Sequence, residues 1–111
     1  MAFDEAVAER VRDLLEGQSG VSEKRMFGGL AFLINGNMAV SASGQGGLLL
    51  RCDPEASDEI CARPHVERAV MRGRAMDGWL RVGAEALATD EELQGWVRIG
   101  VAYARSLPAK G

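Results

Sequence analysis

Between Lys24 and Arg51 the apolar positions come in short runs set off by glycines, KRMFGGLAFLINGNMAVSASGQGGLLLR. That punctuation predicts three short antiparallel strands joined by glycine turns, and the rest of the chain is organised around them. Asn35-Gly36 anchors the reading, because a two-residue type I′ turn needs positive φ at both central positions and these residues tolerate it best. With that turn, Ile34 faces Asn37, Leu33 faces Met38, Phe32 faces Ala39 and Ala31 faces Val40. One face of the hairpin then carries Ala31, Leu33, Met38, Val40 and Ala42, and the other Leu30, Phe32, Ile34 and Ala39. Both faces are apolar, so each needs a cover: the chain's own helices on one side, and more helix or a second subunit on the other.

Helical spacing governs both ends of the chain. Phe3, Val7, Val11, Leu14 and Leu15 recur on one stripe of an opening amphipathic helix, with Asp4 as its cap and Gly17 at its end. Thr89 and Glu92 form a capping box, and Leu93, Trp96, Val97, Val101, Ala104 and Leu107 make the stripe of a long closing helix that Pro108 ends. Gly100 lies on that stripe, where it costs about 1 kcal/mol of helix propensity, so it implies close contact with the sheet. Asp53-Pro54 opens a short middle helix that stops before Pro64. Gly28-Gly29 interrupt what would otherwise be one strand from Glu23 to Ile34, marking a bulge, a bend or a close backbone approach. His65 to Arg74 fits either a turn of helix or an extended run. Met76, Trp79, Leu80 and Val82 suit a further strand with Asp77-Gly78 as a bend. The expected architecture is a single α+β domain over residues 1–111, with an antiparallel sheet of about four to five strands and N-terminal, short middle and long C-terminal helices.

Composition narrows the function classes. At 111 residues, 47% hydrophobic and 26% charged, the chain suits one globular domain with one modest core. A net charge of −3 argues against a surface built throughout to coat nucleic acid or anionic lipid. No apolar run reaches the length of a membrane span, and the acidic, amphipathic N-terminus is unlike a signal peptide, so a cytoplasmic protein with no membrane partner is expected. Cys52 and Cys61 are too few for a disulfide framework and would stay reduced there.

The order helix, Arg25-Met26-Phe27-Gly28-Gly29, hairpin at Asn35-Gly36, Leu49-Leu50-Arg51-Cys52-Asp53, Met71-Arg72-Gly73-Arg74, and Leu93 with Trp96 in a closing helix resembles the TfoX N-terminal domain family, also called Sxy-like. The similarity runs from about Glu23 to Leu107. It implies a curved antiparallel sheet with flanking helices and a link to regulation of competence genes, a role that in the family belongs to longer members with a second, C-terminal domain. The expectation is a single-domain member lacking that second domain, and the family supplies no catalytic residues to carry over.

Candidate chemistry is sparse. The glycines after Ser43 are not followed by Gly-Lys-Ser/Thr and lead into a strand, so they read as a turn rather than a phosphate loop. Cys52, Cys61 and His65 match no paired zinc spacing, and no metal or other cofactor is assigned. A Cys61–His65 nucleophile pair lacks an orienting acid and is interrupted by Pro64. The carboxylates Glu5/Glu9, Asp58/Glu59 and Asp90/Glu91/Glu92 lie on helix faces or starts, where the helix dipole favours them.

Arg63, Arg68, Arg72, Arg74 and Arg81 fall close together in an otherwise acidic chain, beside His65. Guanidinium groups hold carboxylates and phosphates in a bidentate grip, so this is the candidate partner surface, set against plain ion pairing with the acidic helices. The expected function is a non-enzymatic regulatory or protein-interaction domain, a homodimer through one sheet face, that binds an unidentified protein through Arg63 to Arg81. Two other readings stay open: a ligand-binding or enzymatic pocket at Gly28-Gly29 near Arg25 and Arg72, and nucleic-acid binding by the basic region. The second is disfavoured because Phe27, Phe32, Trp79 and Trp96 are better used in the core.

Overall fold

Asn35 and Gly36 take φ of 52° and 84°, the left-handed pair of a type I′ turn, and reverse the chain between β2 (Gly29–Ile34) and β3 (Asn37–Ala42). The structure is a computed structural model describing residues 5–26, 28–44, 46–71 and 73–108. Helix α1 (Glu5–Leu15) leads into β1 (Val21–Met26), the β2–β3 hairpin and β4 (Leu48–Arg51). A 3-10 turn at Pro54–Ala56 and a five-residue helix, α2 (Ser57–Cys61), cross to β5 (Val66–Met71). From there the chain returns through β6 (Arg74–Val82) to a second 3-10 turn and α3 (Asp90–Ser106).

The fold is α+β as expected, with an open antiparallel sheet of six strands in the order β1-β2-β3-β4-β6-β5. The expectation of four to five strands falls short for two reasons. Gly28-Gly29 do not kink one strand; the chain reverses there, so β1 and β2 are separate and pair from Val21↔Ile34 to Met26↔Gly29. The ambiguous His65 to Arg74 segment is an edge strand plus its turn. Gly29 is nonetheless a close approach, since a Cβ there would lie 2.1 Å from the Ala42 carbonyl oxygen.

The hairpin register needs a correction. Ile34↔Asn37 and Leu33↔Met38 pair as expected, but Phe32 then pairs with Val40 and Ala31 with Ser41, leaving Ala39 as the additional residue of a β-bulge. From the bulge onward β3 is rotated by one position, so Val40 and Ala42 join Leu30 and Phe32 in the main core instead of siding with Ala31, Leu33 and Met38. Ile34 and Ala39 pack with Ala104 of α3. All three helices contribute to the cover of this one face: Val7 and Val11 from α1, Ile60 from α2, and Leu93, Trp96 and Val97 from α3 lie against Phe32, Val40, Leu48, Leu50, Leu80 and Val82.

Helix α3 starts where the capping box places it, with the Thr89 hydroxyl accepting from the Glu92 amide at 3.1 Å. Asp53 likewise caps its 3-10 turn by accepting from the Glu55 amide at 3.0 Å. The cap at Asp4 and the apolar position Phe3 lie outside the described residues. Gly100 sits directly over the bulge, and a Cβ there would come within 2.4 Å of the Ala39 carbonyl oxygen. In a free helix Gly→Ala stabilises by about 1 kcal/mol; here the clash is with backbone that cannot swing aside, so the sign inverts. Gly100→Ala is expected to lower unfolding free energy by about 2 kcal/mol in urea denaturation. A stabilised variant would contradict the close approach.

Candidate functional site

On the side of the sheet away from the helices lies a second apolar cluster built from strands alone: Ala31, Met38, Leu49 and Ala69, with Leu33 and Trp79 partly exposed around it. Its membership follows from strand alternation, since Leu48 and Leu50 face the helices and Leu49 between them does not. Trp79 therefore belongs to this face, not to the helix-side core with Trp96 and Phe32 as expected. The Arg51 guanidinium carbon lies 5.1 Å from the centre of the Trp79 ring and 5.5 Å from that of Tyr103, so a cation borders the patch. The Asn37 side chain donates to the Pro108 carbonyl at 2.9 Å, tying the segment after α3 to the turn end of the β2–β3 hairpin.

Trp79 is positioned by an irregularity in β6. Between Arg68↔Leu80 and Val70↔Ala75 the register slips, and Asp77-Gly78 bow out of the ladder. The buried Ser57 hydroxyl accepts from the Gly78 amide at 2.6 Å, and the Gly78 carbonyl accepts from the Cys52 amide at 2.9 Å. The middle helix thus holds the bend expected from the Asp77-Gly78 pair.

The described members of the five-arginine set have different surroundings. Arg68 is clasped by Asp58 and by Asp77, the latter 2.8 Å from its Nε, and both bonds push its pKa up. Arg63 lies over the Trp96 ring with its guanidinium carbon 5.2 Å from the centroid. Arg81 stands opposite Glu67 in the β5–β6 register. Arg74 is exposed at the β5–β6 turn, and Arg72 lies outside the described residues, as does Phe27 of the Arg25 to Gly29 motif. Within that motif Arg25 is on β1 and Met26 ends it, with Gly28 in the turn that follows. Arg25 lines a cavity of about 360 Å³ between α1 and β1 together with Glu5, Glu9, Arg12, Glu23 and Leu30. Gly28 and Gly29 are not part of its lining. Across this groove Arg12 Nε and Nη2 bond Glu23 at 2.7 and 2.9 Å, which holds the Glu23 carboxyl below its usual range.

Among the described residues no three His, Cys, Asp or Glu side chains converge as metal ligands would. Burial pushes both cysteine thiols up, Cys52 within the core and Cys61 beside it, so each favours the protonated form. A further cavity, of about 500 Å³, brings Gly47 of the glycine turn together with His65 and Arg81 of the basic region. It lies at the end of the sheet where the β3–β4 turn, the start of β5 and the end of β6 meet, and Gly47, His65, Glu67, Arg81, Gly83 and Glu85 line it.

The family model of the TfoX N-terminal domain matches residues 13–104, which takes in every strand and nearly all of α3. The chain belongs to the TfoX N-terminal domain family. A comparison with curated proteins gives no match. The matched span includes the helix-free cluster and the arginine region, so both are features of this chain's family domain and not of an appendage.

Two outcomes follow from these contacts. Ser57→Ala leaves the Gly78 amide without its buried acceptor and is expected to cost about 1–3 kcal/mol in chemical denaturation, with Trp79 fluorescence altered in the native baseline. The Arg12–Glu23 pair gives a small pH signature. Because the folded-state pKa of Glu23 is depressed, its contribution is complete above the unfolded-state value and disappears as pH falls through the folded-state value. Glu23→Gln is therefore expected to lower the melting temperature slightly at neutral pH, with the gap closing below about pH 4.

Proposed function

We propose that this domain is a non-enzymatic regulatory module that works by protein contact, pairing with a second copy of itself through the helix-free face of the sheet. One observation carries the reading: Leu33 and Trp79, both partly exposed, rim the buried cluster of Ala31, Met38, Leu49 and Ala69, to which no helix among the described residues contributes. Sheets of this composition on both sides are ordinarily sandwiched. Both edges of the sheet carry charge, Glu23, Lys24 and Arg25 on β1 and Glu67 and Arg68 on β5, which disfavours edge-to-edge pairing and favours contact by the face. An isologous contact then places the same patch on both copies.

Family membership supports a role akin to that of competence regulators, with a second protein as the recipient of the signal. The region Arg63 to Arg81 is the proposed contact for that partner, with Arg74 at an exposed turn available to an acidic surface. Arg63 and Arg68 are already engaged with Trp96 and with two aspartates, which leaves fewer guanidinium groups for phosphates and weighs against nucleic acid. The protonated thiols and the solvated carboxylates weigh against catalysis. Two free cysteines fit a reducing compartment, and no helix among the described residues is long and apolar enough to cross a membrane.

Light scattering at tens of micromolar tests the pairing. The domain is expected to run as a dimer, and Leu33→Glu, which places a charge at a partly exposed position of the patch, is expected to give a folded monomer with unchanged circular dichroism. A wild-type chain that stays monomeric throughout this range would remove the reading's support.

A further inference from the structure

The strand registers join one residue from each strand into a single row across the sheet: Lys24, Ala31, Ser41, Leu49, Arg81 and Glu67, each directly opposite the next. Directly opposed residues point to the same side, so the whole row lies on the helix-free face, where Ala31 and Leu49 belong to the apolar cluster. Its two ends carry opposite charges. Lys24 on the β1 edge and Glu67 on the β5 edge are both exposed, and neither makes a hydrogen bond or an ion pair with a described residue. One step further along the strands, the neighbouring row holds Leu33 on β2 and Trp79 on β6, the two partly exposed residues at the rim of the cluster. Each of these stands on the second strand from its edge. Both rows are therefore balanced about a line that runs between β3 and β4, with opposite charges at equal distances on either side of it in one row and apolar rim residues in the other.

We infer that two copies of the chain pack face to face about a two-fold axis along that line, so that Lys24 of each copy meets Glu67 of the other and Leu33 meets Trp79. This rests on the pairing proposed above and supplies its register. Rotation about an axis parallel to the strands and lying in the interface exchanges the two halves of the sheet and leaves height along the strands unchanged, which brings β1 over β5 and β2 over β6. Packed sheets lie about 10 Å apart, a gap that a lysine and a glutamate side chain together span. An axis laid along the row, across the strands, sets Lys24 against Lys24 and Glu67 against Glu67, and those like-charge contacts oppose association. The arrangement with the axis along the strands answers each end charge with its opposite.

Zero-length carbodiimide cross-linking of the unmodified chain, read by peptide mass spectrometry, tests the register. An equal mixture of unlabelled and heavy-isotope-labelled chains marks the links that join two copies, and a Lys24–Glu67 amide between copies is expected. Within one chain these residues sit on opposite edges of the sheet, ~24 Å apart along the row, too far for such a link. Charge exchange gives a second arm. Lys24→Glu and Glu67→Lys, each alone, bring like charges together at both ends of the interface and are expected to raise the dimer dissociation constant at least about tenfold in low-salt analytical ultracentrifugation, while the chain carrying both returns to within about threefold of wild type. Circular dichroism checks that each variant is folded. Glu67→Lys also sets a second cation opposite Arg81, so if that variant does not fold, Lys24→Glu and the cross-link decide. A monomeric wild-type chain overturns the pairing and the register together. A wild-type dimer whose links between copies omit Lys24–Glu67, or whose folded Lys24→Glu variant associates as tightly as wild type, leaves the pairing standing and overturns the register.

Discussion

Helix α3 rests its Gly100 against the carbonyl of Ala39, and the architecture depends on that contact. A bulge at Ala39 gives β3 one residue more than β2 needs, which turns Val40 and Ala42 toward the helices while Met38 keeps facing away. Without the bulge the hairpin would place Val40 and Ala42 on the far side and leave the helix-side core short of both side chains. Without glycine at position 100 the helix axis would ride too high for Val97 and Leu93 to reach the strands. Bulge and glycine are thus complementary: the backbone displaced by one is accommodated by the missing side chain of the other.

The same logic of bent strand and fitted partner recurs at the other end of the sheet. β6 bows at Asp77-Gly78, and α2 meets the bow with the Ser57 hydroxyl on the Gly78 amide and with Asp58 on Arg68. Arg68 also takes Asp77 from the bow itself. These contacts fasten the crossover from β4 to the edge strand β5, a connection that otherwise rests on Ile60 alone among the fully buried apolar residues of α2. They also decide which surfaces remain for function. The helix-free face keeps its apolar cluster, and the corner beyond Val82 keeps its cavity, because the helices are all drawn to the opposite side.

What the sequence made legible was local chemistry. The Asn35-Gly36 turn, the Thr89 capping box and the Asp53-Pro54 start each consist of a few adjacent residues whose backbone preferences act alone, and each stands where the pattern put it. The bulge was not legible, because nothing in NMAVSA marks one; it is fixed by the closing helix, distant in sequence, of which Gly100 on an apolar stripe was the sole trace. Strand β5 was ambiguous for a related reason: Glu67, Arg68 and Val70 satisfy neither period cleanly when one side is an open edge and the register slips within it. The partners of the described arginines were not legible either, since Arg63 answers to Trp96 and Arg68 to Asp58 and Asp77 across elements. Gly83 and Glu85 carried no signal at all, as an ordinary glycine and a surface glutamate come to line a cavity only once β5 and the β3–β4 turn are brought beside them.

The fit between bulge and helix is most directly read by a methyl NOESY spectrum of the folded domain. With Val40 turned inward, its methyl groups lie beside Gly100, so cross-peaks from the Val40 methyls to the Gly100 α-protons are expected, with none to the Met38 methyl. Cross-peaks from Val40 to the Leu33 and Met38 side chains, with none to Gly100, would mean that the hairpin pairs without a bulge and that Val40 and Ala42 belong to the helix-free face of the sheet.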